Sequence, residues 1–385
     1  MKILHLYSNW KWTGPAEHAL NVATNLVKRG YDLTFACGKP PMKVEDSLEK
    51  RAGEGGLSLA HNFYLNKHFN IWHDAIDIVR LTRFIKQRGF ELIHTHLFND
   101  QFIAGVAAKR LSKRISLIRT VYGGEGLPYN VKNRVLLLYF TDGLIAVSET
   151  SKRNIEETFN FPSDKIWKIC PGVDFSRFNQ RVDGNEVRKR FGIGLDDPLV
   201  GMVARVQSHR RFDVFLKAID YAVKEMPHLK VFIIGRGTHI REVAIKPVET
   251  LGLKEHVIFT GYQLNDYPEI LAALDVKVFL VPGSDGSCRA VREAMAMGKP
   301  VIVANRGILP EIVEDGVSGL VIEDTPENLA HAIITLVKDI PLRKKMGEAA
   351  RKRVNEAFNL EIQIAKIEEV YKQVKNTSQK FYHYS

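Results

Sequence analysis

Residues 276–304 read VKVFLVPGSDGSCRAVREAMAMGKPVIVA. Val276–Val281 is a short aliphatic and β-branched run of strand length. Gly283 and Gly286 turn the chain after it, and a helix follows with Ser287 as its expected N-cap. Val301–Ala304 then reads as a second apolar strand. A strand, a turn, a helix and a strand in so short a space make a βαβ unit, the repeat of a parallel sheet covered by helices. The chain is therefore expected to be α/β.

The same rhythm extends outward from this unit. Leu199–Ala204, Lys230–Ile234 and Val257–Thr260 precede it as three further strands, so the second half of the chain reads as one doubly wound domain. Toward the amino terminus, Lys2–Tyr7, Asp32–Ala36, Leu92–Thr95, Ser116–Val121 and Gly143–Val147 read as strands. Glu17–Arg29, Ala75–Gln87 and Gln101–Leu111 read as helices between them. Between the two halves, Cys170–Pro198 is irregular and carries Pro171, Gly172, Asp174 and the charge-dense Arg188-Lys189-Arg190, which places a hinge there. After Pro326 the pattern is helical: Glu327–Lys338, Leu342–Phe358, then Ile362–Val374, with a frayed tail expected after Asn376. A chain of 385 residues suits two cores. The expected organisation is 1–172 and 173–359, two similar domains facing each other across a cleft, with a closing helix of about 360–376 packed back on the first. Ligands of doubly wound sheets bind at the carboxyl ends of the strands, so the site is expected in that cleft.

Composition narrows the function classes. Hydrophobic residues make up 45% and charged residues 26%, as in a soluble globular protein. The longest apolar run, Val135–Phe140, is far short of the ~20 residues of a membrane-spanning helix. The apolar start Lys2–Tyr7 reads as a strand and not a signal peptide. Cys37, Cys170 and Cys288 are scattered, which suggests neither a disulfide framework nor a zinc site and fits a cytoplasmic location. The net charge of +11 is uneven: through Gly172 there are 24 Lys and Arg against 16 Asp and Glu. Such an excess suits polyanions. No interleaved aromatic and basic motif singles out nucleic acid, so no nucleic-acid partner is expected, and an ordinary basic surface is an equal reading.

Two segments of the second half carry the chemistry. The helix opening at Ser287 offers free N–H groups and a dipole to an anion such as a diphosphate. Asp285 lies in the turn before it and Glu293 two turns into it, where carboxylates can accept hydrogen bonds from sugar hydroxyls. Taken alone, Asp285 could equally be a turn cap. In VGMVARVQSHRRFD, residues 200–213, Arg205 follows a strand and Arg210 stands five positions later, so two permanent cations could neutralise a leaving diphosphate. Arg211 reads as a surface residue. His94 and His96 alternate on one strand with no carboxylate or cysteine beside them, which fits core histidines better than metal ligands. Cys288 reads as a small residue filling a crowded turn, and Glu311–Asp315 as local capping.

With these residues in place, the sequence resembles the retaining family 4 glycosyltransferases of group 1, which have the GT-B fold of two Rossmann-like domains. That family carries Gly-Arg-Leu with a Lys five residues after the Arg, and Glu-x7-Glu leading into Glu-Ala-Met-Ala-x-Gly-x-Pro-Val. Ala204-Arg205-Val206 with Arg210, and Asp285-x7-Glu293 leading into Ala294–Val301, stand in those places. Gly14-Pro15-Ala16-Glu17, Pro171-Gly172-Val173-Asp174, Phe259-Thr260-Gly261 and Pro310–Gly316 match in order along nearly the whole chain.

The resemblance implies an acceptor-binding first domain with a glycine-bearing loop at Gly14, and a second domain that binds a nucleotide-sugar donor. In that domain Arg205 and Arg210 would bind the diphosphate and Glu293 the ribose. Asp285 with Gly286, Ser287, Cys288 and Arg289 would hold the sugar and phosphates, and Gly261 and Tyr262 would lie near the base. It implies retention of the anomeric configuration, no metal, no cofactor and no protein nucleophile.

Three positions depart from the pattern. Asp285 replaces the usual Glu, Arg210 the usual Lys, and Tyr122, in Thr120-Val121-Tyr122-Gly123, the His of Thr-x-His-Gly. Tyr122 can fill that role as a neutral hydrogen-bond donor. The expected activity is transfer of a sugar to a hydroxyl of a cell-envelope glycan or glycolipid, such as lipopolysaccharide, at the inner face of the cytoplasmic membrane, whose anionic surface would suit the basic first domain. The alternatives are a nucleotide-sugar binding module and an epimerase of the same fold. A phosphorylase would want a cofactor lysine and a longer chain, and neither half shows the Gly-x-Gly-x-x-Gly of a dehydrogenase.

Overall fold

The computed structural model describes residues 1–380 apart from 43, 45, 112–114, 264–265 and 283–287, with side chains described as far as 377. The described chain falls into two compact units. One runs from Met1 to Pro171 and takes up the chain again from Glu361, while the other lies between Gly172 and Leu360.

The first unit is built on a seven-stranded sheet in which every pair is parallel. Its strands are β1 (Lys2–Tyr7), β2 (Asp32–Cys37), β3 (Ser58–Leu59), β4 (Leu92–Thr95), β5 (Ser116–Val121), β6 (Gly143–Ala146) and β7 (Ile166–Lys168). The order β3-β2-β1-β4-β5-β6-β7 puts the reversal of direction between β1 and β4, and their carboxyl ends are where such sheets carry ligands. The first helix, Gly14–Lys28, starts where Thr13 caps the Ala16 amide and Pro15 presets the first turn. Gly14 is thus the first helical residue and not part of a loop. The last helix, Leu360–Lys380, buries Ile364, Ile367, Val370, Tyr371 and Val374, a stripe at helical spacing. Its flanks are tied to the same unit by Glu368 with Arg29 at 2.5 Å and Lys375 with Glu91 at 2.6 Å. The helix runs to Lys380, past the end expected near Asn376.

The second unit holds a six-stranded parallel sheet: β8 (Leu199–Val203), β9 (Lys230–Ile234), β10 (Val257–Gly261), β11 (Val276–Phe279), β12 (Val301–Ala304) and β13 (Gly319–Ile322). In the order β10-β9-β8-β11-β12-β13, the reversal lies between β8 and β11. The stretch read as wholly irregular contains a helix, Asn185–Arg190. Its buried Arg188 donates to the carbonyls of Ala273 (3.0 Å) and Asp197 (2.8 Å) and to the Asp275 carboxylate (2.8 Å), so part of the charge-dense run is a structural tie. Among the described residues, no helix is long and apolar enough to cross a membrane.

Candidate active site

β8 and β11 are neighbours in the second sheet, and the residues that follow them carry most of the predicted site. After β8 the backbone is pinned on both sides of Arg205. The Ala204 amide donates to the Ile234 carbonyl and the Val206 amide to the Arg236 carbonyl, both at 3.1 Å. This approach needs glycines opposite: a Cβ on Gly235 would strike the Ala204 carbonyl and one on Gly237 the Val206 carbonyl. Arg205 therefore projects an exposed side chain from a fixed stretch of backbone.

Arg210 closes a single 3-10 turn, Ser208–Arg210, and is buried. One of its guanidinium nitrogens donates to the carbonyls of Val281 at 2.9 Å and Pro282 at 2.7 Å. Hydrogen bonds from a charged donor contribute on the order of 1.5–3 kcal/mol each, so Arg210 anchors the exit of β11 as well as supplying charge. Burial, and then the like charge of Arg205, push its guanidinium below its usual range, with Cys288 opposing. Two cations that repel each other at one strand end favour an anion between them. Arg211 sits in the left-handed region at φ +61° and pairs with Asp324 at 2.9 Å, a structural role.

The helix expected to open at Ser287 spans Arg289–Ala296, and its N-cap is Cys288. Cys288 is buried, takes a left-handed φ of +49° and makes no side-chain cap bond to the helix. Asp285, Gly286 and Ser287 lie outside the described residues. Glu293 is buried on this helix with one carboxylate oxygen 3.2 Å from Arg289 Nε.

Two buried neighbours of Glu293 were missed by sequence reasoning. Lys277, fully buried in the centre of β11, has its ammonium pushed down to about 7 by burial, with the Glu293 charge opposing. Tyr267 is raised well above the usual phenol range by burial and then by Glu293. Lys277 Nζ has no hydrogen-bond partner among the described residues, and the Tyr267 hydroxyl faces the Glu293 carboxylate. The signal for Lys277 was a charged residue inside an apolar strand, which a buried parallel sheet does not tolerate without a reason. At the end of β10, Gly261 turns the chain at φ +73°, and the half-exposed Tyr262 ring lies under the Arg236 guanidinium at 4.5 Å, a flat polar platform.

In the first unit, Tyr122 follows β5 and is 7% exposed. Its ring stacks on His96 and His18, and its hydroxyl lies 2.9 Å from His96 Nδ1. Gly14, also predicted, stands at the start of the first helix, beyond the Tyr7 hydroxyl bonded to Thr13 Oγ1 at 3.1 Å. The structure thus gathers Arg205, Arg210 and Cys288 beyond the ends of the neighbouring strands β8 and β11, pairs Arg289 with Glu293, and sets Gly261 beside Tyr262.

Two family models match the chain in succession: Glycosyltransferase Family 4 over residues 12–177 and Glycosyl transferases group 1 over residues 183–353. The N-acetyl-alpha-D-glucosaminyl L-malate synthase of Bacillus anthracis is 24% identical over 358 residues, 90% of each chain. The UDP-Gal:alpha-D-GlcNAc-diphosphoundecaprenol alpha-1,3-galactosyltransferase of Escherichia coli is 24% identical, covering 80% of this chain and 81% of its own. Among solved structures, Anabaena HepE in complex with UDP superimposes with a TM-score of 0.82 at 19% identity, over 97% of this chain and all of its own. A glycosyltransferase of Rickettsia africae gives 0.84 at 19% identity, over 97% and 98%. The architecture is GT-B.

Proposed function

This chain belongs to the family 4, group 1 glycosyltransferases, and from that premise we propose that it is a retaining, metal-independent enzyme moving a sugar from a nucleotide diphosphate to a hydroxyl of a cell-envelope glycan or glycolipid. The observation that carries the reading is the pair of arginines after β8. Arg205 is exposed on backbone clamped by two amide bonds, and Arg210 lies close enough for their charges to interact. A departing diphosphate would gain two compensating charges there without reorganisation, the term that usually dominates such catalysis. Glu293, held by Arg289, is set to accept from a ribose, and the Tyr262 platform suits a base.

In the proposed reaction the bond from the sugar's anomeric carbon to the diphosphate oxygen breaks. The acceptor oxygen bonds to the same carbon on the same face, and the acceptor proton passes to the departing phosphate. The products are a glycoside and a nucleoside diphosphate, with no protein nucleophile. The relative from Escherichia coli, whose acceptor is lipid-linked, supports an envelope acceptor. The basic excess of the first half supports work at an anionic membrane surface on its cytoplasmic side.

The test is release of nucleoside diphosphate from a panel of UDP-, GDP- and ADP-sugars, with chelator and without added metal. Release from one donor that chelator does not alter, with the anomeric configuration kept in the product, supports the reading. Release that stops with chelator removes the metal-independent part, and inverted product removes the retaining part.

A further inference from the structure

Three helices of the first unit lie side by side: Ile71–Arg88, Phe98–Lys109 and Val131–Phe140, the middle one packed against both neighbours. Gly105 lets the third approach the second closely, since a Cβ there would strike the Phe140 ring. The Phe69 ring, just ahead of the first, meets the edge of Phe102 on the second at 5.8 Å. Their inner sides are ordinary core, with Leu81 and Ile85 of the first and Leu137 of the third joined to strand residues.

The outer sides of the two flanking helices are different. On the first, Trp72, Ile76, Val79, Arg83 and Lys86 are all exposed and form one stripe at helical spacing, apolar at its start and cationic at its end. On the third, Val131, Val135 and Leu138 repeat that spacing with Tyr139 beside them, flanked by the exposed Lys132 and Arg134. Trp72 is 78% exposed and Val131 76%, so neither is a core side chain showing an edge. Elsewhere among the described residues large apolar side chains are exposed singly along the chain, as at Leu195 and Val317, which is normal for a protein surface. Two stripes of them on helices that share a neighbour mark an interaction surface.

Charge indicates the partner. The first helix has two carboxylates, and both turn inward. Asp74 accepts from the Asn70 amide and the Asn99 side chain, both at 2.9 Å, and Asp77 accepts from the amides of Tyr64 at 3.0 Å and Leu65 at 2.8 Å. The third helix has no carboxylate at all. Both outer faces are therefore apolar and cationic with nothing on them to balance the charge. A second copy docked face to face would set these cations against themselves. A bilayer surface meets every feature: phosphates for Lys and Arg, an interfacial depth that suits Trp and Tyr, and an apolar layer beneath for Ile, Val and Leu.

We propose that the outer faces of Ile71–Arg88 and Val131–Phe140 seat the first unit on an anionic lipid bilayer, with Trp72, Val131 and Tyr139 entering the headgroup layer and Arg83, Lys86, Lys132 and Arg134 against lipid phosphates. The membrane argued above from net charge thereby acquires a particular face of the molecule. Trp72 and Val131 stand at the starts of their helices, on the side of the strand carboxyl ends where a lipid-linked acceptor would be received. That last step rests on the glycosyl-transfer reading, whereas the seating itself does not.

The test is sedimentation of the full chain with vesicles of phosphatidylcholine, alone or mixed with phosphatidylglycerol, and no acceptor present. The protein is expected to sediment with the mixed vesicles and much less with the neutral ones. Trp72→Ser and Val131→Ser each lower the partition coefficient on mixed vesicles roughly tenfold, the effect of withdrawing one large side chain from apolar surroundings. Lys132→Gln/Arg134→Gln lowers it about 25-fold, at about fivefold for each cation near an anionic surface. Leu195→Ser, an exposed apolar position of the second unit, leaves it unchanged. Retention that needs phosphatidylglycerol yet is indifferent to Trp72→Ser and Val131→Ser overturns the proposal, because net charge alone then holds the protein. Absence of retention on both vesicles also overturns it. A dimer in sedimentation velocity that Trp72→Ser dissolves overturns it in favour of a second copy on this face. Release of nucleoside diphosphate from free donor needs no vesicle, so the glycosyl-transfer reading and the seating can each fail while the other stands.

Discussion

The two units keep buried polar groups near the reversal of their sheets in opposite ways. In the first, the imidazoles and phenols around His94 satisfy one another link by link. In the second, Lys277, Tyr267 and Glu293 are buried together, and the Lys277 ammonium has no hydrogen-bond partner among the described residues. A closed network contributes rigidity at no electrostatic cost, because every member is neutral. An open one carries charge and stores a penalty that a ligand or a compensating group can relieve. The first design suits a surface that holds one side chain in one orientation. The second suits a surface that receives charge.

The contrast breaks most sharply at Arg205. Arg205→Ala is expected to lower donor turnover about 100- to 1000-fold, the loss seen on removing a group aimed at developing charge. Its melting temperature should stay unchanged because the side chain is exposed, so a large stability loss with modest kinetic loss would mean that Arg205 is structural. Next in size is Lys277→Met, expected to stabilise the protein by a few kcal/mol at pH 6 to 7, since a tenfold change in proton affinity is about 1.4 kcal/mol. Between about pH 7, its value when folded, and its ordinary 10.5, the unfolded chain holds a proton that the folded chain has lost. Wild-type stability therefore rises with pH through that window, and the gain from Lys277→Met shrinks toward pH 10. Thermal unfolding of the two proteins across that range checks it, and a gain independent of pH would show that Lys277 carries no buried charge.

His94→Leu probes the closed network. It leaves Thr120 and one side of Tyr371 without their partner and is expected to cost about 1–3 kcal/mol, read as a denaturant midpoint with unchanged slope. No destabilisation would mean that the network is not closed. The smallest effect is expected from Arg210→Lys. An ammonium can still reach the Val281 and Pro282 carbonyls, so turnover should fall less than about tenfold. A loss as large as that of Arg205→Ala would show that the fork geometry itself binds substrate.

The strands were legible because buried parallel strands must be nearly continuous in apolar residues, and Lys2–Tyr7, Lys230–Ile234 and Val301–Ala304 match residue for residue. Three strands were not. Ser58–Leu59 and Ile166–Lys168 are two and three residues long, too short to read as apolar runs, and Gly319–Ile322 is a partly buried edge strand that follows directly on the turn read as local capping. In the site, Arg205 and Arg210 could be found because their spacing is local in sequence. That Arg210 spends a nitrogen on two carbonyls more than 70 residues away could not. Tyr371 was hidden for the same reason: on a helical stripe it reads as core, and only its pairing with His94, 277 positions earlier, gives it a second meaning.

The last helix also has a consequence for synthesis. Because the chain leaves the first unit at Pro171 and returns to it only at Glu361, the second unit is an insertion between two parts of the first. On the ribosome the inserted unit is complete while Tyr371, Glu368 and Lys375 are still untranslated, although domains more often mature in order from the amino terminus. The nascent first unit must wait, with His5 and His94 lacking the hydroxyl that joins them, until the final helix emerges.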